Sequence, residues 1–116
     1  MSEDVHQALA ALEDADVATR LAAQDVLLGQ ADAVVSTVCA RLHETTSIRL
    51  RRELVWFLAH ALVDGSEVRA ALAHARSDVD ATIRSLAEEA EARLDDPGRA
   101  EADHRAWLEG HLDASE

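Results

Sequence analysis

The segment TTSIRLRRELVWFLAHALV, Thr45 to Val63, decides the fold. On a helical wheel, Ile48, Leu50, Leu54, Val55, Phe57, Leu58, Ala61 and Leu62 cover about half of its circumference. Arg49, Arg52, Glu53, Trp56 and His60 fall on the opposite side. So broad an apolar arc needs neighbours in several directions, so this helix is expected to be the buried middle of a helical stack. The way it opens recurs along the chain. Thr45 and Ser47 precede Leu50-Arg51, then Leu54 and Leu58. Asp14 and Asp16 precede Thr19-Arg20, then Ala23 and Leu27, and Asp78 and Asp80 precede Ile83-Arg84, then Ala87 and Ala90. The steps from Thr19 to Leu50 and from Leu50 to Ile83 are 31 and 33 residues, within the roughly 20–50 residue period of stacked repeats. A unit of this size cannot bury its apolar face alone and must pack on its neighbours.

The recurring phrase resembles the second helix of the HEAT repeat, including the short bacterial and archaeal variety related to phycobilin-lyase repeats, which opens with a pattern like D-x-D-P-x-V-R. Thr45 and Ser47 replace the aspartates in the second copy and keep their hydrogen-bonding oxygens. Glu91 stands where the third copy wants leucine, and proline is missing from all three turns. The resemblance implies an all-α, HEAT-like αα superhelix, a right-handed solenoid whose second helices line a concave surface. It is a likeness of fold and does not name an activity.

Helical spacing and breakers divide the chain further. Helices are expected over 3–12, 17–28, 31–42, a fourth running to about Val63, a fifth through Ala75 and a sixth to about Leu94. Gly29 reads as a C-terminal stop, and Asp64-Gly65-Ser66 and Asp95-Asp96-Pro97-Gly98 as breaks. Thr45 or Thr46, Ser66 or Asp64, and Ser77 or Asp78 are the expected caps of the fourth, fifth and sixth helices. The single domain, 1–116, thus holds three helical hairpins at 1–30, 31–64 and 65–95. A capping helix over 97–113 closes it, with Ala100, Trp107, Leu108 and Leu112 inward. A dimer contact through Trp107 and Leu108 is the competing use of that helix, leaving monomer and homodimer both open.

Composition narrows the function classes. The chain has 116 residues, with 23 acidic side chains against 11 basic ones, all arginine, and a net charge of −12. So negative a surface repels phosphate backbones and anionic lipid, which argues against nucleic-acid and membrane partners. The lack of lysine fits a high-GC genome or a salt-rich cytoplasm. Aromatic residues make up 3% and tyrosine is absent, which favours helices over strands. Cys39 is the only cysteine, so no internal disulfide is available and a cytoplasmic location is expected. No leader and no apolar run of ~18 residues is evident.

The candidate partner-binding surface centres on the polar side of the fourth helix: Arg49, Arg52, Glu53, Trp56 and His60. Repeat alignment sets Trp56 between Asp25 and Glu89, with Arg93 nearby. An exposed Trp beside arginine is a typical interface anchor; the alternative is that Trp56 packs between hairpins, with Arg52 or His60 over its edge. Arg20, Arg51 and Arg84 recur in register and are expected to bond the polar pair of their own or the adjacent turn, forming a structural ladder.

Catalytic and metal chemistry find little support. None of His6, His43, His60, His74, His104 and His111 shares the i, i+3 or i, i+4 spacing of helical metal ligands, and His43-Glu44 lacks the second histidine of H-E-x-x-H. No metal and no cofactor is expected. Cys39 lies among Val35, Val38 and Leu42, where a thiol behaves as a small hydrophobe of raised pKa. Phosphate loops and G-x-S-x-G are absent. The favoured function is a non-enzymatic adaptor that captures a protein on its concave surface. Two rivals stand beside it: an acidic inhibitor or immunity-type protein that blocks a basic site, and a small lyase-like cofactor chaperone.

Overall fold

The computed structural model describes residues 2–96 and 98. They form helices α1 (Glu3–Ala11), α2 (Val17–Leu28), α3 (Ala31–Glu44), α4 (Ile48–Ala61), α5 (Ser66–Ala75) and α6 (Ala81–Asp95), with no strand among the described residues. Apart from Gly98, the expected helix over 97–113, with Trp107 and Leu108, lies outside them. Successive helices pair as α1–α2, α3–α4 and α5–α6; α4 also packs on α2 and α6, and α3 on α5. The wheel of α4 anticipates this central place.

The polar pairs explain why each second helix begins where it does. In every copy the first member folds the turn and the second caps the helix. Asp14 Oδ1 accepts the Asp16 N–H at 2.8 Å, Thr45 Oγ1 the Ser47 N–H at 3.1 Å and Asp78 Oδ1 the Asp80 N–H at 2.9 Å. Asp16, Ser47 and Asp80 then accept the N–H groups of Thr19, Leu50 and Ile83. These side chains occupy donors that have no partner within the helix. The caps of α4 and α6 are therefore Ser47 and Asp80, each lying later than the expected residue, because two side chains are needed per turn. By contrast, α3 and α5 have no side-chain cap; their stability comes from packing an apolar face rather than from local start signals.

The core joins all three hairpins. Leu9 and Leu12, Leu27, Val34, Val38 and Leu42, Leu54, Phe57 and Leu58, Leu72, and Ile83 are fully buried, each apolar side chain contributing about 1.5–3 kcal/mol relative to exposure. The ends of the α4 arc depart from expectation. Ile48 remains 43% exposed at the first turn, and Leu62 is 45% exposed because the helix stops at Ala61. Leu62 adopts the left-handed conformation (φ 54°, ψ 33°), turning its side chain off the helical face. Glu91, placed where leucine fits the repeat, meets Arg76 Nε at 2.9 Å across the third hairpin. The hairpin thus carries an ion pair at that position.

The stop at Gly29 has a different geometry from the one expected. Gly29 is right-handed (φ −65°, ψ −17°), and its N–H donates to Asp25 O at 3.1 Å. An added Cβ would meet only ordinary contacts, at 3.5 Å from the carbonyls of Asp25 and Val26. Gly29→Ala should therefore stabilise the fold by about 0.5–1 kcal/mol, by reducing the freedom of the unfolded chain. Denaturant melts check this; a loss of stability would mean that the chain needs a left-handed residue there.

Candidate functional site

The site is built on the second helices. Arg49 is exposed at the first turn of α4, with Nη1 3.5 Å from the Glu13 carbonyl. Arg52 lies one turn on and grips Asp80, Nη2 to Oδ1 at 2.6 Å and Nε to Oδ2 at 3.0 Å, with its side chain still 48% exposed. Glu53 faces the other way. It accepts Arg20 Nε at 2.9 Å and the Gln24 amide at 3.1 Å, which ties α4 to α2. Arg52 and Glu53 thus connect neighbouring hairpins, each with its charge already matched.

Trp56 is half-buried and stacks on His60, ring centroids 3.8 Å apart and planes 19° from parallel. The His60 Nδ1–H donates to the Trp56 carbonyl at 2.8 Å. Since a carbonyl can only accept, the ring proton is held at Nδ1, and neutral His60 offers Nε2 as an acceptor. Arg93 of α6 donates to the Ala59 carbonyl at 3.3 Å and to Glu89 at 2.8 Å, bringing that acid–arginine pair against α4 next to His60. Asp25 is exposed on α2. The structure thus brings Trp56 together with His60 and Glu89 with Arg93, while Asp25 belongs to the same surface by register only.

The three recurring arginines bind turns in two ways. Arg20 donates to the Asp14 carbonyl at 2.7 Å, and Arg84 to the Asp78 carbonyl at 2.8 Å and the Val79 carbonyl at 3.1 Å, each within its own hairpin. Arg51 reaches forward instead, with Nε 2.8 Å from Asp78 Oδ2 and Nη2 3.4 Å from Oδ1; the two side chains are only 14% and 9% exposed.

Two features escaped the sequence reading. Gln24 is 1% exposed and donates to the Glu53 carbonyl at 2.8 Å; its place beside Ala23 and three residues before Leu27 on the α2 wheel was the available signal. His43 and His74 lie in contact across α3 and α5, centroids 4.9 Å apart. Within-helix spacing misses such a pair, whereas their separation of 31 residues equals the first repeat step.

Electrostatics follow these contacts. The Asp80 carboxyl is held down at about 2 by its bond from Arg52, aided by the Ile83 N–H. Asp16 is lowered by its bonds from Thr19, and Asp64 by Arg69. Burial pushes Asp78 up, but the Asp80 N–H and Arg51 outweigh it, so its net shift is downward. Cys39 is pushed up to about 11, chiefly by burial and then by the charge of Glu67, leaving a protonated and unreactive thiol at neutral pH. No group of three His, Cys, Asp or Glu side chains able to hold a metal occurs among the described residues. No helix among them is long and apolar enough to cross a membrane.

No protein-family model, curated protein or solved structure matches the chain.

Asp80 separates capping from charge. Its folded carboxyl titrates below the ordinary 3.8, so the folded state favours the ionised form. That contribution is present above about pH 4 and is lost as pH falls toward 2. Asp80→Asn keeps a capping oxygen but loses the ion pair. Its melting temperature should fall below wild type at pH 6, and the gap should narrow steadily as the pH is lowered from 4 toward 2. A gap independent of pH would show that the Arg52 pair contributes nothing.

Proposed function

We propose that this chain is a non-enzymatic protein-binding module, a HEAT-like superhelix of stacked hairpins that holds a partner protein on its second-helix surface. The observation that carries the reading is Trp56. The largest side chain of α4 is only partly buried, stacked on His60, while Phe57 and Leu58 beside it are buried. A rigid aromatic fixed by a neighbouring ring loses little entropy on binding, which suits an interface anchor. Asp25, Glu89, Arg93 and Arg49 would set its charged surround. Arg52 and Glu53 would contribute through their outer edges while keeping their bonds to Asp80 and Arg20. The cytoplasm is the proposed compartment, with the module acting as a monomer or homodimer.

The shifted carboxyls are caps and ion-pair partners. Asp16, Asp64, Asp78 and Asp80 are all displaced downward by partners, so they are held ionised and are poor proton donors at neutral pH. The net charge of −12 favours a partner with a basic surface, and the acidic-inhibitor reading shares this feature.

Trp56→Ala should cost about 1–2 kcal/mol of stability, less than truncation of a fully buried aromatic. It should also weaken partner capture at least tenfold, worth about 1.4 kcal/mol. Denaturant melts and quantitative affinity capture from host extract, with wild type and variant side by side, supply the two readouts. A large stability loss with undiminished capture would make Trp56 a packing residue and shift the function to the acidic surface, whose capture would fall steeply with salt.

A further inference from the structure

We propose that His43 and His74 form a two-imidazole site for a borderline divalent metal ion such as Zn2+, carried by the first helices and independent of the Trp56 surface. Helices α3 and α5 run in parallel register. Ser36 Oγ donates to Glu67 Oε2 at 2.8 Å, and two turns further along both helices the rings of His43 and His74 meet at 4.9 Å, tilted by 47°. Both rings are exposed, so a hydrated ion can reach them without opening the core. Neither is hydrogen-bonded among the described residues, in contrast to His60, whose Nδ1 is tied to a carbonyl. Two imidazole nitrogens bound to one tetrahedral Zn2+ at 2.0–2.1 Å lie about 3.3 Å apart, and rings with centroids 4.9 Å apart reach that span by small side-chain rotations.

The backbone adds to the attraction. His43 and His74 both occupy the last turns of their helices, where unpaired carbonyls place partial negative charge and favour a cation. The net charge of −12 raises the local concentration of divalent ions. With two protein ligands, the remaining positions are filled by water, making the site exchangeable and open to a further donor. Imidazole prefers Zn2+, Ni2+ or Cu2+ to Mg2+, which distinguishes this site from general screening of acidic side chains.

The test is calorimetric titration of the full chain with Zn2+ at pH 7.5, with Mg2+ as the control, on wild type, His43→Ala, His74→Ala and His6→Ala. The site predicts one Zn2+ per chain and no comparable Mg2+ binding. It also predicts at least a tenfold weaker affinity in each of the His43 and His74 variants and no change in the His6 variant. Thermal melts give a second readout: Zn2+ should raise the wild-type melting temperature by bridging α3 and α5, and this rise should vanish in both variants. Zn2+ affinity that survives in either variant, or an equal response to Mg2+, overturns the proposal. Because neither readout involves Trp56, the result leaves the protein-binding reading untouched.

Discussion

Asp78 bonds Arg51, Asp80, Arg84 and Ala75, and with the Arg52–Asp80 pair and the apolar packing of α4 on α6 it holds the third hairpin to the rest of the molecule. Its carboxylate receives Arg51 from α4 and the N–H of Asp80, and its own carbonyl receives Arg84. A nearly buried carboxylate must be fully satisfied, since an unpaired charge in that position costs several kcal/mol. Asp78 thus links the turn, the capping residue Asp80 and the contact with α4. The first junction reaches the same end through Arg20, Gln24 and Glu53. Each junction joins a polar clamp to an apolar core, the clamp fixing register and the core supplying most of the stabilisation.

The clamps also shape the outer surface of α4. Arg52 and Glu53 are drawn to opposite neighbours, α6 through Asp80 and α2 through Arg20. Trp56 and His60, further along the helix, have no such link across the hairpins among the described residues and stack on each other instead. The aromatic pair is held by its own stacking and by the bond from His60 Nδ1 to the Trp56 carbonyl, with the Glu89–Arg93 pair against α4 at Ala59. On the proposed reading, a preorganised, partly buried aromatic among matched charges would bind a partner with little rearrangement.

The helices and their order were legible because the repeats report themselves three times: Asp14/Asp16, Thr45/Ser47 and Asp78/Asp80 each announce a second helix. On the α4 wheel Arg51 falls within the apolar arc, where a guanidinium needs an anionic partner, and Asp78 stands beside it. Less legible was which turn each arginine would choose. Arg20 and Arg84 bond the carbonyls of their own turns, Arg20 also reaching Glu53 of the next hairpin, whereas Arg51 reaches forward to the Asp78 carboxylate. The end of α4 was misjudged because Leu62 continues the apolar pattern while its backbone turns left-handed. Gln24 and the His43–His74 contact depend on packing between helices, which a single helical wheel does not contain. For the surface residues, the wheel grouped Arg49, Arg52, Glu53, Trp56 and His60 on one side, but long side chains reach a full turn, so Arg52 and Glu53 part company in three dimensions.

The claim that the clamp at Asp78 joins the hairpins is tested most directly by a double-mutant cycle on Arg51 and Asp78, measured by denaturant unfolding. Each single change to alanine should cost about 2–4 kcal/mol, because the partner charge is left nearly buried. The double variant should lose at least about 1.5 kcal/mol less than the sum of the two. Additive losses, agreeing within about 0.5 kcal/mol, would contradict the account by showing that the two side chains act independently.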